Sequence, residues 1–253
     1  MGFSRFCVVS PADVFVPLWC KTNYSFLEGA SHPDEMVSAC VELGHPCIGI
    51  TDRDGVYGIV RAHVAAKPLG VRTIPGAEMS VAGGATVVLL PRDRGGYTNL
   101  CKLITKGRLR NEKGFCEVSW REVAEHSGGN CALLASGVEH CSDETFGLLK
   151  DGFADDLSIV LSRHLEPGDV PAGTFRTAQS ERHGVRLVAA TEVLYHERRR
   201  KRLQDVLTCI RSTVPLTEAG RLLYPNQEHE LKSQEEFCRL FADVPAAIDR
   251  TVE

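Results

Sequence analysis

The sequence predicts an α/β fold in which strands and helices alternate around a parallel sheet or barrel, followed by a small helical appendage. Three observations predict it. Short, continuously apolar runs recur as far as Tyr195, stretches of helical periodicity separate them, and beyond Tyr195 only helical patterns remain.

Ser31-His32-Pro33-Asp34 reads as a helix start: Ser31 can cap, Pro33 suits the first turn, and Asp34 and Glu35 face the positive end of the helix. Met36, Val37, Cys40 and Val41 then share one helical face, and Gly44 ends it. Pro46-Cys47-Ile48-Gly49-Ile50-Thr51 is apolar throughout, as expected of a buried parallel strand. A second helix is expected over 56–67, stopped by Pro68 and Gly70. Further strands are expected over 71–74, 86–90, 131–135, 158–161 and 187–190. Helices are expected over 97–104, after the Gly95-Gly96 break, and over 120–125, 143–149 and 175–182. The appendage reads as helices over 199–211, 233–242 and 245–253, the last without a Gly or Asn stop, which fits a longer parent chain.

The 253 residues are 43% hydrophobic and 25% charged, with a net charge of −4, which argues against global disorder and allows one barrel-sized domain or two ordinary ones. No run of 18 apolar residues is present to span a membrane. The opening Met1-Gly2-Phe3-Ser4-Arg5-Phe6 has one cation and its apolar stretch breaks at Ser10-Pro11-Ala12-Asp13, a poor signal peptide; a cytoplasmic protein with no membrane partner is expected. The ten cysteines form no Cys-x-x-Cys pair, so a zinc ribbon is not indicated and reduced, buried thiols are expected.

Acidic residues follow the expected strands: Asp52 and Asp54 after Ile50, Glu78 after Ile74-Pro75-Gly76-Ala77, and Glu192 after the 187–190 run. Barrels build their sites at this carboxyl edge, and converging carboxylates there could hold a hard divalent cation. Asp52 and Asp54 could equally cap the next helix and shape a turn. Two basic clusters, Lys102, Lys106, Arg108, Arg110 and Lys113, and Arg198, Arg199, Arg200, Lys201 and Arg202, each hold a single acid, Glu112 or Glu197; together they carry a net +8. They suit phosphate-backbone contacts or a solvated helix face paired with nearby acids, and no interleaved aromatics indicate base stacking.

Leu18-Trp19-Cys20-Lys21-Thr22-Asn23-Tyr24-Ser25-Phe26-Leu27-Glu28-Gly29-Ala30-Ser31-His32-Pro33 and Ile50-Thr51-Asp52-Arg53-Asp54-Gly55-Val56-Tyr57-Gly58 carry a resemblance, extended by Pro75-Gly76-Ala77-Glu78, Gly96-Tyr97-Thr98-Asn99-Leu100-Cys101-Lys102-Leu103 and Leu203-Gln204-Asp205-Val206-Leu207. Together they resemble the amino-terminal PHP (polymerase and histidinol phosphatase) domain of bacterial DNA polymerase III alpha-type subunits, in particular the error-prone branch. The resemblance implies a distorted (β/α)7 TIM-like barrel. The expected boundaries are a lead-in over 1–15, the barrel over 16–197, and a helical extension over 198–253 that starts the connection to a polymerase body.

Several ligand positions of metal-bearing members hold other residues here. The His-x-His pair of the first motif is Trp19 and Lys21, the Thr-Asp-His histidine is Arg53, the Ser-Gly-Cys cysteine is Val138, and the late Asn-Asp-x-His histidine is Leu194. Indole has no lone pair to give a metal, and ammonium and guanidinium groups would repel one. Glu28, Asp52, Glu78 and Glu192 remain as possible ligands. Buried carboxylates without metal or partner would be costly, so Lys21 and Arg53 are expected to pair with Asp52, Glu78 and Glu192. The function this implies is a degenerate, non-catalytic support module, inactive alone. The parent polymerase would carry out replication, repair and translesion synthesis with DNA and accessory proteins as partners. Two other readings stay open: a metal-dependent phosphoesterase or 3′–5′ exonuclease using Mn, Zn or Fe on Asp52, Glu78 and Glu192, and a single-stranded DNA-binding module using the two basic clusters.

Overall fold

The computed structural model describes residues 14–253. Most of the lead-in expected over 1–15, the signal-peptide reading and Cys7 therefore lie outside the described residues. Strands β1 (Cys47–Ile50) and β2 (Arg72–Pro75) pair in parallel, with Cys47 opposite Arg72. Strands β3 (Ala77–Val81), β4 (Ala85–Pro91), β5 (Asn130–Ser136), β6 (Leu157–Ser162) and β7 (Arg186–Ala190) form a five-stranded sheet in sequence order. Helices α1 (Pro33–Glu42), α2 (Ile59–Ala66), α3 (Arg94–Arg110), α4 (Trp120–Glu125), α5 (Asp143–Phe153) and α6 (Asp169–His183) connect them, and α7 (Lys201–Ser212), α8 (Gln234–Leu240) and α9 (Pro245–Asp249) follow β7. No helix among the described residues is long and apolar enough to cross a membrane.

The α/β class holds, but the strands do not close as a ring of parallel ladders. β3, β4 and β5 pair antiparallel, and only β5, β6 and β7 run parallel within the larger sheet. The sequence pattern missed β3, because Pro75-Gly76 and the charged Glu78 interrupt its apolar run. Gly83 and Gly84, at φ +87° and +81°, turn β3 into β4 as a hairpin, so no crossover helix makes this pair parallel.

Main-chain bonds outside the strands join the two sheets. Gly49 and Thr51 donate to the carbonyls of Pro17 and Cys20 at 2.8 Å, and Lys21 donates to Val193 at 2.9 Å. The segment 17–21 thus runs between β1 and the stretch after β7. A Cβ at Gly49 would lie 2.8 Å from Leu18 O, so only glycine lets this segment approach. On the other side of β1, Glu78 N–H donates to Asp52 O at 3.1 Å. These bonds bring 19–21, 52–53, 78 and 192 to one end of the molecule.

Local details differ where tertiary partners compete. His32, not Ser31, occupies the N-cap of α1, with its N–H bonded to Glu35 Oε2 at 2.8 Å, because the Ser31 hydroxyl bonds His196 Nδ1 at 2.7 Å. Helix α2 starts at Ile59, later than the expected Val56, because the chain first turns so that Gly58 closes over the Asp52 carboxylate. No disulfide joins the described cysteines, and Cys20, Cys40, Cys47, Cys116 and Cys209 are buried. Helices α8 and α9 pack onto β6 and β7 through Phe237, Phe241, Ala247 and Ile248, which share a cluster with Phe15, Leu161 and Ala189. The Phe15 and Phe237 rings stack at 3.6 Å. Phe237→Ala is expected to cost about 3–5 kcal/mol and to shift a single cooperative urea transition. An unchanged midpoint would show that this packing contributes nothing to the stability of the α/β part.

Candidate functional site

Four carboxylates reach this end from separate stretches: Glu28 from a turn, Asp52 after β1, Glu78 on β3 and Glu192 after β7. Three of them meet one side chain. Lys21, fully buried, places Nζ 2.6 Å from Glu192 Oε1, 2.9 Å from Glu78 Oε1 and 3.3 Å from Glu28 Oε2. Its ammonium donates hydrogen bonds to Glu192 and Glu28, and Glu78 faces it as an ion pair. Arg53 bonds Glu28 Oε1 through Nη1 at 2.7 Å and Glu78 Oε1 through Nη2 at 2.9 Å. Trp19 donates its indole N–H to Glu78 Oε2 at 2.5 Å. From α7, Arg211 reaches Glu28 Oε1 at 3.1 Å. Lys21, Arg53 and Arg211 thus balance the charges of Glu28, Glu78 and Glu192.

Burial alone would lower the Lys21 pKa, but the Glu192 and Glu78 carboxylates outweigh it and hold the ammonium well above the usual lysine range. Burial would likewise favour a neutral Glu192, yet the Lys21 ammonium, by its charge and its hydrogen bond, pulls its carboxyl down to about 2. The main chain of Glu192 is gripped by two imidazoles. His164 Nε2 accepts from Glu192 N–H at 3.0 Å, and His229 Nδ1 donates to Glu192 O at 2.9 Å. Their rings stack at 4.0 Å, and burial, with His164 beside it, pushes His229 down to about 3. Both act as neutral positioning groups. Tyr224 adds a hydroxyl to Glu192 Oε2 at 3.4 Å.

Asp52 departs from the expectation. Neither Lys21 nor Arg53 pairs with it; it accepts from Thr22 N at 2.7 Å, Thr22 Oγ1 at 2.9 Å and Ser25 Oγ at 2.8 Å. Neutral donors satisfy it, and burial raises its pKa. A Cβ at Gly58 would meet Asp52 Oδ2 at 2.4 Å, so glycine is needed where this loop closes over the carboxylate. Asp54 is held by Ser80 N at 2.7 Å and serves the turn. Val138 and Leu194 are buried in apolar clusters. Among the described residues, no group of three or more His, Cys, Asp or Glu side chains could hold a metal ion. A cavity of about 910 Å³, lined by Leu18, Cys47, Ile74, Leu133 and Ser158, takes in none of the site residues.

The basic clusters are largely engaged within the chain. Lys106 and Arg110 bond Glu122 at 3.2 and 2.8 Å, and Arg108 bonds Asp54 O at 3.0 Å. Arg198 reaches Glu230 at 2.9 Å, Arg199 pairs with Glu197, Arg200 with Glu35, and Lys201 with Asp205 at 2.7 Å. Lys102 and Arg202 stand exposed. Sequence reasoning did not find His164, Arg211, Tyr224 or His229. His164 follows β6 at its carboxyl end and could have been found by the same rule that found Glu192; Arg211 and His229 carry no such signal.

The model of the PHP domain matches residues 18–161. The chain belongs to the PHP domain family. The Error-prone DNA polymerase of Anaeromyxobacter sp. (strain K) is 37% identical over 254 residues, covering 95% of this chain and 22% of that protein. The one from Rhodopirellula baltica is 36% identical over 253 residues, again covering 22% of its length. This PHP chain therefore spans about a fifth of the length of those relatives. Among solved structures, a metal-dependent phosphoesterase of Bifidobacterium adolescentis superposes with a TM-score of 0.53 at 15% identity, covering 70% of this chain and 86% of that one. An amidohydrolase of Chromobacterium violaceum superposes at 0.51 and 16% identity, covering 72% and 88%. Both share the PHP-type fold.

Lys21→Met would leave three buried carboxylates short of a partner, and a loss of about 3–5 kcal/mol at pH 7 is expected. The deficit should shrink on acidification as Glu192, left without its Lys21 partner, protonates. In the wild type, the stabilisation from Glu192 is present above the ordinary glutamate pKa of 4.5 and is lost as the pH falls towards 2, because its folded pKa is the lower one. Urea denaturation of both proteins from pH 7 to 3 checks the sign; a deficit constant across that range would contradict the pairing.

Proposed function

We propose that this PHP domain has exchanged its metal centre for side-chain cations, and that it is a non-catalytic support module of an error-prone DNA polymerase of the alpha-subunit type. The observation that carries this reading is the buried Lys21 ammonium, within 3.3 Å of Glu28, Glu78 and Glu192. Divalent ions need several lone-pair donors around each centre. Here an ammonium holds the point on which the carboxylates converge, the Trp19 indole gives a proton to Glu78, and Arg53 covers Glu28 and Glu78. The residues present do not fit a Mn, Zn or Fe cluster, and the positions Trp19, Lys21, Arg53, Val138 and Leu194 offer no ligand.

On this reading, replication, repair and lesion bypass belong to the rest of a longer polymerase chain in the cytoplasm, with DNA and accessory proteins as its partners. The barrel would span 16–197, and 198–253 would begin the connection. The internal pairing of Lys106, Arg108, Arg110 and Arg198–Arg200 supports a structural role for the basic clusters over a DNA-binding one.

The test is metal analysis of the purified chain together with hydrolysis of an aryl phosphate and a single-stranded oligonucleotide, each with and without chelator. Substoichiometric metal and no chelator-sensitive hydrolysis are expected. Stoichiometric manganese, zinc or iron with chelator-sensitive turnover would overturn the proposal in favour of a phosphoesterase or exonuclease.

A further inference from the structure

Helix α7 packs Leu207 inward but turns a second apolar stripe to solvent. An amphipathic helix ordinarily turns that stripe to the core. In α7 the buried positions are Gln204, Thr208 and Cys209, with Lys201 closed onto Asp205 at 2.7 Å. Leu203, Val206 and Ile210, spaced by three and four residues, are 41%, 44% and 58% exposed. They therefore lie on one face. Arg202 and Arg211 border that face on opposite sides. The Arg211–Glu28 pair ties in the turn that carries Phe26, which is 81% exposed.

We propose that the outer face of α7, with Phe26, is the surface against which the polymerase body packs, and that this body offers an apolar patch bordered by carboxylates. The inference rests on the reading of the chain as a polymerase module. Two observations select this occupant. The match to the Anaeromyxobacter polymerase covers 95% of this chain, so it includes α7, yet only 22% of that protein, leaving most of its length to lie against the module. Arg211 is already paired with Glu28, but Arg202 on the other border is exposed and makes no ion pair among the described residues, so an acidic rim on the partner beside Arg202 is complementary. A second copy is a poor occupant: it would gather the unpaired Arg202 of both chains at one seam, while Asp205 is already closed by Lys201.

Carbene footprinting of this chain beside the full-length Anaeromyxobacter polymerase tests the proposal. The helix corresponding to α7 is expected to be labelled several-fold less in the longer protein. Equal labelling overturns the proposal. Sedimentation velocity and flotation with phosphatidylglycerol vesicles test the other occupants on the 253-residue chain. A monomer that does not float is expected; a dimer, or vesicle binding, that Ile210→Asp abolishes without lowering the melting temperature overturns it. The footprint does not depend on metal content. A metal-loaded protein with a protected helix would sink only the cation-for-metal reading, and a metal-free protein with an unprotected helix only this one.

Discussion

Three carboxylates on three separate stretches of chain meet one buried ammonium, and the arrangement of this end of the molecule depends on that meeting. Lys21 has no exposed surface. A charge so placed is tolerable only if it is paired and its donors are satisfied, and the same holds for each carboxylate. Glu28, Glu78 and Glu192 are therefore tied to one another through a shared cation and cannot move independently. Arg53 and Arg211 complete the neutrality from the more exposed side. The cluster holds β3, the segment 17–21 and the stretch after β7 in register where no continuous ladder joins them.

Backbone geometry prepares the meeting. Gly49 lets the segment 17–21 approach β1, and the bonds from Lys21 N–H and to Trp19 O splice it to Val193. The neutral imidazoles of His164 and His229 hold the main chain of Glu192 from both of its polar groups. Asp52 takes a different course with the same physics: backbone and hydroxyl donors meet its lone pairs, so it needs no cation. One end of a PHP fold thus shows two ways of keeping a carboxylate buried, one ionic and one neutral.

The helical extension works in two directions. Inward, Arg211 reaches the ion cluster, and Phe237 and Phe241 build a core with Phe15 and β6. Outward, α7 leaves Leu203, Val206 and Ile210 in solvent, while Leu207 packs inward beside the buried Gln204, Thr208 and Cys209. A helix can be stable in that orientation when its inner polar side chains close on one another, as Gln204 does on Thr208 at 2.9 Å and Lys201 on Asp205. The extension therefore contributes a charge to the ion cluster on one side and carries exposed aliphatic groups on the other.

Local chemistry made much of this legible. Apolar runs marked β1, β2, β4, β5, β6 and β7, and a Ser-His-Pro-Asp start marked α1, because periodicity and helix-start chemistry act within a few residues. The charge types at Lys21 and Arg53 indicated which groups would meet Glu78 and Glu192. The antiparallel β3–β4 hairpin, the neutral donors on Asp52, the grip of His164 and His229, and the reach of Arg211 were not legible, since each joins residues brought together only by the fold. By itself, then, the sequence determined which elements form and that cations stand where ligands could. Tertiary structure alone decided which carboxylate each cation meets and which way α7 faces, because pairing at 3 Å depends on the path of the whole chain.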